Sequence, residues 1–322
     1  MKTCEVTFVI VSYNTARLLK RCLESVLQEL QGIQAEIIVV DNASKDGSVE
    51  LVEKEFPEVY LIPSQINLGF AAANNLAFRI SHGEFIVLLN TDAFLKKGAL
   101  LKALETMKAD EKIGLAGGRL IGEKGEWQPS ARQFPSLIND FLHLSGLASR
   151  YPHSRFFGKA DRTWASPEES SEVDWVPGAF TIMRRQIINE VGLFDERFFL
   201  YYEEVDFCKR IKKAGYTVWY LADVQVIHLG GESSKTVQEH AWNKSGSQLT
   251  LWRMRSMFLY YRKWHYWMGA WSILQMESGW NWLRALKNGN TPKGNDARKC
   301  VELLQQAWKE TNGGTVSPRK PW

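Results

Sequence analysis

Residues 7–48 read TFVIVSYNTARLLKRCLESVLQELQGIQAEIIVVDNASKDGS, and the order of apolar runs inside them decides the fold. TFVIV and EIIVV are continuously apolar, which predicts strands buried on both faces. Between them Leu18, Leu19, Cys22, Leu23, Val26 and Leu27 recur at helical spacing, with Asn14 or Thr15 able to cap the helix. The rhythm continues through VYLI, FIVLL and IGLAG, with a second helix after NASKDGS and a third from about Phe70 to Ile80. This βαβαβ order predicts an α/β protein with a mostly parallel sheet flanked by helices. Ligands of such a sheet bind beyond the carboxyl ends of its strands. Polar residues gather there: Ser12-Tyr13-Asn14, Asp41-Asn42-Ala43-Ser44 and Asn90-Thr91-Asp92. Neither a GxGxxG fingerprint nor a P-loop is present. Asp41 can accept hydrogen bonds from a base or ribose, or it can cap a turn.

The 322 residues allow one large domain, or one domain with an appendage. Forty basic against 36 acidic side chains give a net charge of +4, too weak to argue for nucleic acid as a partner. Cys4, Cys22, Cys208 and Cys300 follow no zinc or CxxC spacing, so Cys22 and Cys208 read as reduced core thiols of a cytosolic protein. The start, MKTCEVTFVIVSYN, lacks the pattern of a signal peptide, and no uncharged stretch approaches the roughly 20 residues of a membrane span.

A second stretch carries chemistry. FLYYEEVDFCKR (199–210) sets Glu203, Glu204 and Asp206 just after two tyrosines. On a helical wheel Asp206 falls beside Lys213 and four residues before Arg210, the spacing of a surface ion pair, and Glu203 falls near them. Glu204 falls between Ile211 and Cys208, among apolar residues. The wheel therefore predicts a buried Glu204 with exposed Glu203 and Asp206. A buried carboxylate is costly unless it is paired, which marks Glu204 for a role.

In order and spacing, VIVSYN, VVDNASKDGS, NLGFAAANN, LLNTDA, the run from WVPGAF to CKRIKKAGY, and VIHLGGESS resemble the family 2 glycosyltransferases, most of all their rhamnosyltransferase branch. The resemblance covers about residues 5–235 and implies the GT-A (Rossmann-like) fold and an inverting transfer from a nucleotide-sugar donor. It assigns donor contacts to Ser12, Tyr13 and Asn14, to Asp41, Asn42, Ser44 and Asp46, to Asn67, Gly69 and Asn74, and to Asn90, Thr91 and Asp92. Asp92 would be the carboxylate ligand of Mg²⁺ or Mn²⁺. Asn90 stands where a full DxD element has its first acid, and would contact ribose or a metal-bound water. His228 would be the second ligand, or else a structural residue after a strand. Gly69 would admit backbone to the donor or serve an ordinary turn. Trp175, Gly178 and Glu203 would line the sugar and acceptor side, with Trp175 stacking on a sugar or filling the core. Glu204 would be the base, at the position where relatives carry the second acid of a Glu-Asp pair, or else a helix cap or the partner of a buried arginine.

Beyond residue 236 the composition changes. Nine of the 13 tryptophans lie there, and Trp242 to Gly289 carries seven Lys or Arg against Glu277 alone. The stretch 249–276 reads as a helix with Leu249, Trp252, Leu259, Lys263, Trp267, Ala270 and Leu274 along one face and Arg255 and Arg262 elsewhere. It could lie on a membrane surface, or pack on the catalytic domain or on a second subunit. The expected division is 1–235 catalytic, 236–310 a helical extension, and 311–322 a disordered tail. The expected function is transfer of L-rhamnose from dTDP-rhamnose to a lipid-linked saccharide in cell-surface polysaccharide biosynthesis. The enzyme would be cytoplasmic, peripheral on the inner face of the membrane, and able to form an oligomer. The alternatives are a family 2 transferase of a UDP-hexose or galactofuranose, a non-catalytic sugar-nucleotide-binding protein, and a nucleotidyltransferase. The last would need a glycine-rich loop that VSYNTARLL lacks.

Overall fold

The computed structural model describes residues 4–230 and 248–318. They form two compact units. One gathers 4–134, 161–195 and 204–230; the other gathers 135–160, 196–203 and 248–318. The expected boundary at 235/236 lies outside the described residues, and two earlier stretches group with the C-terminal helices.

The sheet unit opens with β1 (Val6–Ser12), α1 (Ala16–Glu29), β2 (Ala35–Asp41), α2 (Ser48–Glu55), β3 (Tyr60–Pro63), α3 (Phe70–Ile80) and β4 (Phe85–Leu89). β5 (Ala93–Leu95), α4 (Ala99–Ala109), β6 (Ile113–Ile121) and β7 (Trp127–Gln128) follow. The chain returns through β8 (Ser171–Val173), β9 (Phe180–Arg184), α7 (Arg185–Val191), α8 (Glu203–Lys213) and β10 (Thr217–His228). The main strand order is β3-β2-β1-β4-β9-β6-β10-β5. β3, β2, β1 and β4 are mutually parallel, and β9 is inserted antiparallel between β4 and β6.

Alternation along each strand explains the continuous apolar runs. Phe8 and Ile10 enter one cluster with Leu19, Cys22, Leu23 and Val26 of α1. Val9 enters the other, with Ala71 and Ala77 of α3 and Phe207 and Ile211 of α8. Each fully buried aliphatic or aromatic side chain contributes about 1.5–3 kcal/mol, so two covered faces per strand hold the sheet.

The second unit contains α5 (Leu137–Leu144), α6 (Leu147–Arg150), α9 (Gln248–Asn288) and α10 (Pro292–Glu310). Tyr266, at φ 60° and ψ −168°, breaks α9 into two helical halves. The first half is core: Leu251, Met257, Phe258, Leu259, Tyr260 and Tyr261 are all buried. Phe258 meets Trp308 of α10 edge-on at 5.3 Å. Arg255 is buried too and pairs with Glu310 at 2.6 Å. The single-face reading therefore fails: Trp252, Leu259 and Ala270 are buried, whereas Trp267 is exposed. The break at Tyr266 resets the phase of the helix. Residues 311–314, expected to be disordered, are held in place. Thr311 is buried and its hydroxyl donates to the Ala307 carbonyl at 2.7 Å, while Gly314 N–H donates to Thr311 Oγ1 at 3.1 Å.

Candidate active site

The carboxyl ends of β1 and β2 are laced together by the residues that cluster there. Asn42 N–H donates to the Ser12 carbonyl at 2.7 Å, and Asn14 N–H to Ser44 Oγ at 2.9 Å. Asp46 accepts from Ala16 N–H at 2.8 Å and from the Ser48 hydroxyl at 2.6 Å, so it serves the starts of both α1 and α2. Asn42 also accepts from Leu68 N–H at 2.7 Å and donates to Asn67 Oδ1 at 2.9 Å. Asn67 Oδ1 in turn accepts from Gly69 N–H at 2.9 Å. Gly69, at φ 81°, turns the chain into α3 with a backbone that L side chains rarely adopt. Asn74 is buried and donates within its own helix, to the Phe70 carbonyl. Most of these polar groups are thus engaged in building the rim, with Tyr13 half-buried among them.

Asp41 differs. Its Oδ1 accepts from Ser44 N–H at 2.9 Å, while its Oδ2 is buried with no hydrogen-bond partner. Burial pushes its carboxyl above the usual aspartate range, against the opposing bonds from Ser44. Such an oxygen suits an N–H or O–H donated by a bound nucleoside.

The second cluster lies where β4 ends. The short β5 runs antiparallel to β10 with Ala93 opposite His228, and Leu229 N–H donates to the Asp92 carbonyl. This register brings His228 Nε2 to 3.6 Å from Asp92 Oδ1. Gln128 completes the arrangement: its Nε2 donates to the His228 carbonyl at 2.8 Å, and its Oε1 lies 2.8 Å from His228 Nδ1. The first bond orients the amide, so Oε1 accepts from Nδ1–H and leaves the Nε2 lone pair facing Asp92. Burial lowers the His228 pKa and the Asp92 charge opposes it. Sequence reasoning did not find Gln128, which acts across a hundred positions through a two-residue strand.

A cation fits between these groups by donor chemistry. A carboxylate oxygen and an imidazole nitrogen each reach a divalent ion at about 2.1 Å, so one ion can touch both. Among the described residues no group of three or more His, Cys, Asp or Glu converges, and further ligands would have to be oxygens from substrate or water.

The segment before β9 meets the same region by pairing. Leu89 stands opposite Phe180, and Asn90 N–H donates to the Ala179 carbonyl at 3.0 Å. Trp175 is half-buried, donates to the Gln133 carbonyl at 2.9 Å and carries the Arg132 guanidinium 5.3 Å from its ring centroid. A Cβ at Gly178 would meet the Phe70 ring at 3.5 Å, an ordinary contact, and its φ is not positive. Neither crowding nor backbone conformation requires glycine there.

The three acids of α8 are sorted differently from the wheel. Asp206 is fully buried and Glu203 nearly so, while Glu204 is half-buried. Arg210 explains the reversal. Its Nε donates to Asp206 Oδ2 at 2.9 Å, and its other nitrogens donate to the carbonyls of Val191, Gly192 and Leu193. The guanidinium turns inward to satisfy the end of α7, and Asp206 goes with it as counter-ion. Asp206 is a support beneath the helix, and Glu204 is half-buried in its first turn, with its Oε2 out of contact with solvent. Tyr201 and Tyr202 enter the helix at φ 69° and 70°, two consecutive left-handed residues that no spacing argument reveals.

The family model for glycosyl transferase family 2 matches residues 7–192, more than half of the chain. The chain belongs to this family. This family 2 glycosyltransferase is 29% identical over 231 residues to the N-acetylglucosaminyl-diphospho-decaprenol L-rhamnosyltransferase of Mycobacterium tuberculosis, across 68% of this chain and 74% of that protein. It is 25% identical over 267 residues to the rhamnosyltransferase WbbL of Escherichia coli, across 79% of this chain and 92% of the relative. These relatives place it on a rhamnosyltransferase-like branch. Among solved structures, S. aureus TarS superposes with a TM-score of 0.50 at 15% identity, over 97% of this chain and 92% of that one. GalNAc-T7, crystallised with UDP, GalNAc and Mn²⁺, superposes with a TM-score of 0.57 at 14% identity, over 98% of this chain and 59% of that one. Both likenesses are of fold, the GT-A sheet.

Proposed function

We propose that this glycosyltransferase moves L-rhamnose from dTDP-rhamnose onto a hydroxyl of a polyprenyl-diphosphate-linked saccharide, inverting the anomeric centre. The observation that carries the reading is the apposition of Asp92 and His228 at the carboxyl end of β4, held by Gln128. The choice of sugar and acceptor leans on the rhamnosyltransferase relatives. Asp41 receives the N–H of the pyrimidine, and the backbone at Gly69 approaches the donor. Asp92 and His228 would hold Mg²⁺ or Mn²⁺, which when bound would neutralise charge on the departing diphosphate. Glu204 takes the proton of the acceptor hydroxyl as its oxygen bonds the anomeric carbon from the face opposite the breaking bond to dTDP. Trp175, Gly178 and Glu203 line the sugar and acceptor side. The work belongs to cell-surface polysaccharide assembly, with the enzyme in the cytoplasm, peripheral on the inner face of the membrane. Among the described residues no helix is long and apolar enough to cross a membrane.

Transfer is tested with polyprenyl-diphosphate N-acetylglucosamine and a panel of dTDP-rhamnose, UDP-hexoses and UDP-galactofuranose, in Mn²⁺ and in EDTA. A rhamnosylated product of inverted anomeric configuration, formed only with metal, is expected. A product from a UDP-sugar alone assigns the enzyme to another sugar, and full activity in EDTA removes the metal from the reaction.

A further inference from the structure

The second half of α9 is amphipathic the wrong way round for a helix meeting only water. Its buried side carries Gly269, Ala270, Ile273, Glu277, Asn281 and Ala285, with Ile273 the one large apolar side chain among them. Its exposed side is large and apolar, with Trp267, Met268, Trp271, Trp282, Leu283 and Leu286 ranging from 45% exposed at Trp271 to 73% at Met268. These six fall within an arc of about 160° along a helix of roughly 30 Å. Trp267 and Trp271 stack on each other at 6.0 Å, and Trp282, Leu283 and Leu286 form a second apolar patch about 16 Å further along the helix. Scattered exposed apolar residues are normal, but two large apolar patches aligned in one stripe of a helix mark a surface with a non-aqueous partner.

The charges around the stripe choose that partner. From 264 to 287 Glu277 is the only acid, and it is buried. Lys287 is exposed beside the stripe, Arg284 is exposed on the other side of the same helix, and Lys293 and Arg298 are exposed on α10. A second copy of this chain meeting the stripe face to face would bring like charges together. A bilayer with anionic headgroups complements them, and each basic residue near such a surface contributes about 1 kcal/mol. Trp at headgroup depth, Leu and Met deeper, and Arg and Lys reaching outward are the arrangement of an in-plane helix.

We propose that the half-helix 267–288 is the membrane-docking element, lying in the plane of an anionic bilayer with Trp267, Trp271 and Trp282 inserted. The buried first half of α9 takes no part. This deepens the peripheral placement proposed above, but it stands on the helix alone and survives if the donor or acceptor is another sugar.

The test uses the full chain with vesicles of neutral lipid, with and without one quarter anionic lipid. Trp271→Glu and Leu286→Glu are compared with the parent by sedimentation, and tryptophan quenching is read with bromine-labelled acyl chains. Binding of an interfacial helix scales with buried apolar area, so each substitution should weaken vesicle binding about tenfold or more. The parent should be quenched by the labelled chains and the variants should not. Because both positions are exposed, dTDP-induced thermal shift should be retained, which separates loss of docking from loss of the donor site. Undiminished vesicle binding by both variants overturns the proposal. So does a parent that is dimeric in solution and becomes monomeric on either substitution without having bound vesicles.

Discussion

Asp206→Asn separates support from chemistry among the three acids of α8. The exchange keeps the shape of the side chain and removes only its charge, leaving the Arg210 guanidinium among the carbonyls of residues 191–193 without its counter-ion. Removing one partner of a buried ion pair costs about 3–5 kcal/mol. Asp206 is fully buried and Arg210 keeps 17% of its side chain exposed, so the lower half of that range applies. For a unit of roughly 200 residues each kcal/mol lowers the melting temperature by about 2–4 °C. The expected loss is therefore roughly 6–16 °C by differential scanning calorimetry or fluorimetry. Initial rates measured well below both transitions, at saturating donor, should match the parent. Arg210→Lys should reproduce the loss, because a point charge cannot serve the carboxylate and three carbonyls together. An Asp206→Asn protein that melts like the parent but transfers no sugar would refute this reasoning and make Asp206 the reacting acid.

Three further outcomes are expected. Glu204→Gln should lose about 10²–10⁴ in kcat with donor affinity intact, the span of general-base catalysis, and near-parent turnover would point to another base. Gln128→Leu should weaken Mn²⁺ binding about 10–100-fold, read by paramagnetic resonance of free Mn²⁺, while dTDP binding without metal is unchanged; unaltered Mn²⁺ affinity would leave Gln128 a strand-pairing residue only. Burial pushes Asp140 up to about 6 in the folded protein, with Glu277 adding to the rise and the bond from Tyr261 opposing it. The native state then binds more protons than the unfolded chain, so the contribution is full below the ordinary aspartate pKa and is lost as pH rises through about 6. Denaturation midpoints should fall between pH 4 and 7 by less in Asp140→Asn than in the parent, and parallel curves would exclude this group as the source.

The parallel half of the sheet was legible because Phe8 and Ile10 face one cluster and Val9 the other, so an unbroken apolar run has a single reading. The helix from Phe70 to Ile80 was legible for the same local reasons. What stayed hidden depends on distant partners. The antiparallel β9 joins the sheet between strands that precede it by many residues, and a five-residue run does not announce its neighbours. The wheel assumed that charges face water, and it misplaced Asp206 because the α7 carbonyls draw Arg210 inward. Tyr266 broke the tail helix without a proline or glycine to signal it, so one amphipathic face was read where two half-helices of opposite polarity exist.

The pairing of Leu89 with Phe180 has an evolutionary reach of its own. It places the 175–179 segment next to residues 90–92 by one rung of a ladder, a spacing of about 5 Å that is indifferent to the chain between them. Part of that intervening chain keeps to the sheet as β5, β6 and β7, and the stretch 135–160 groups instead with the helical unit. It can be lengthened, shortened or exchanged while the rung stays put. The length of that excursion is therefore free to vary without disturbing the contact between residues 90 and 179.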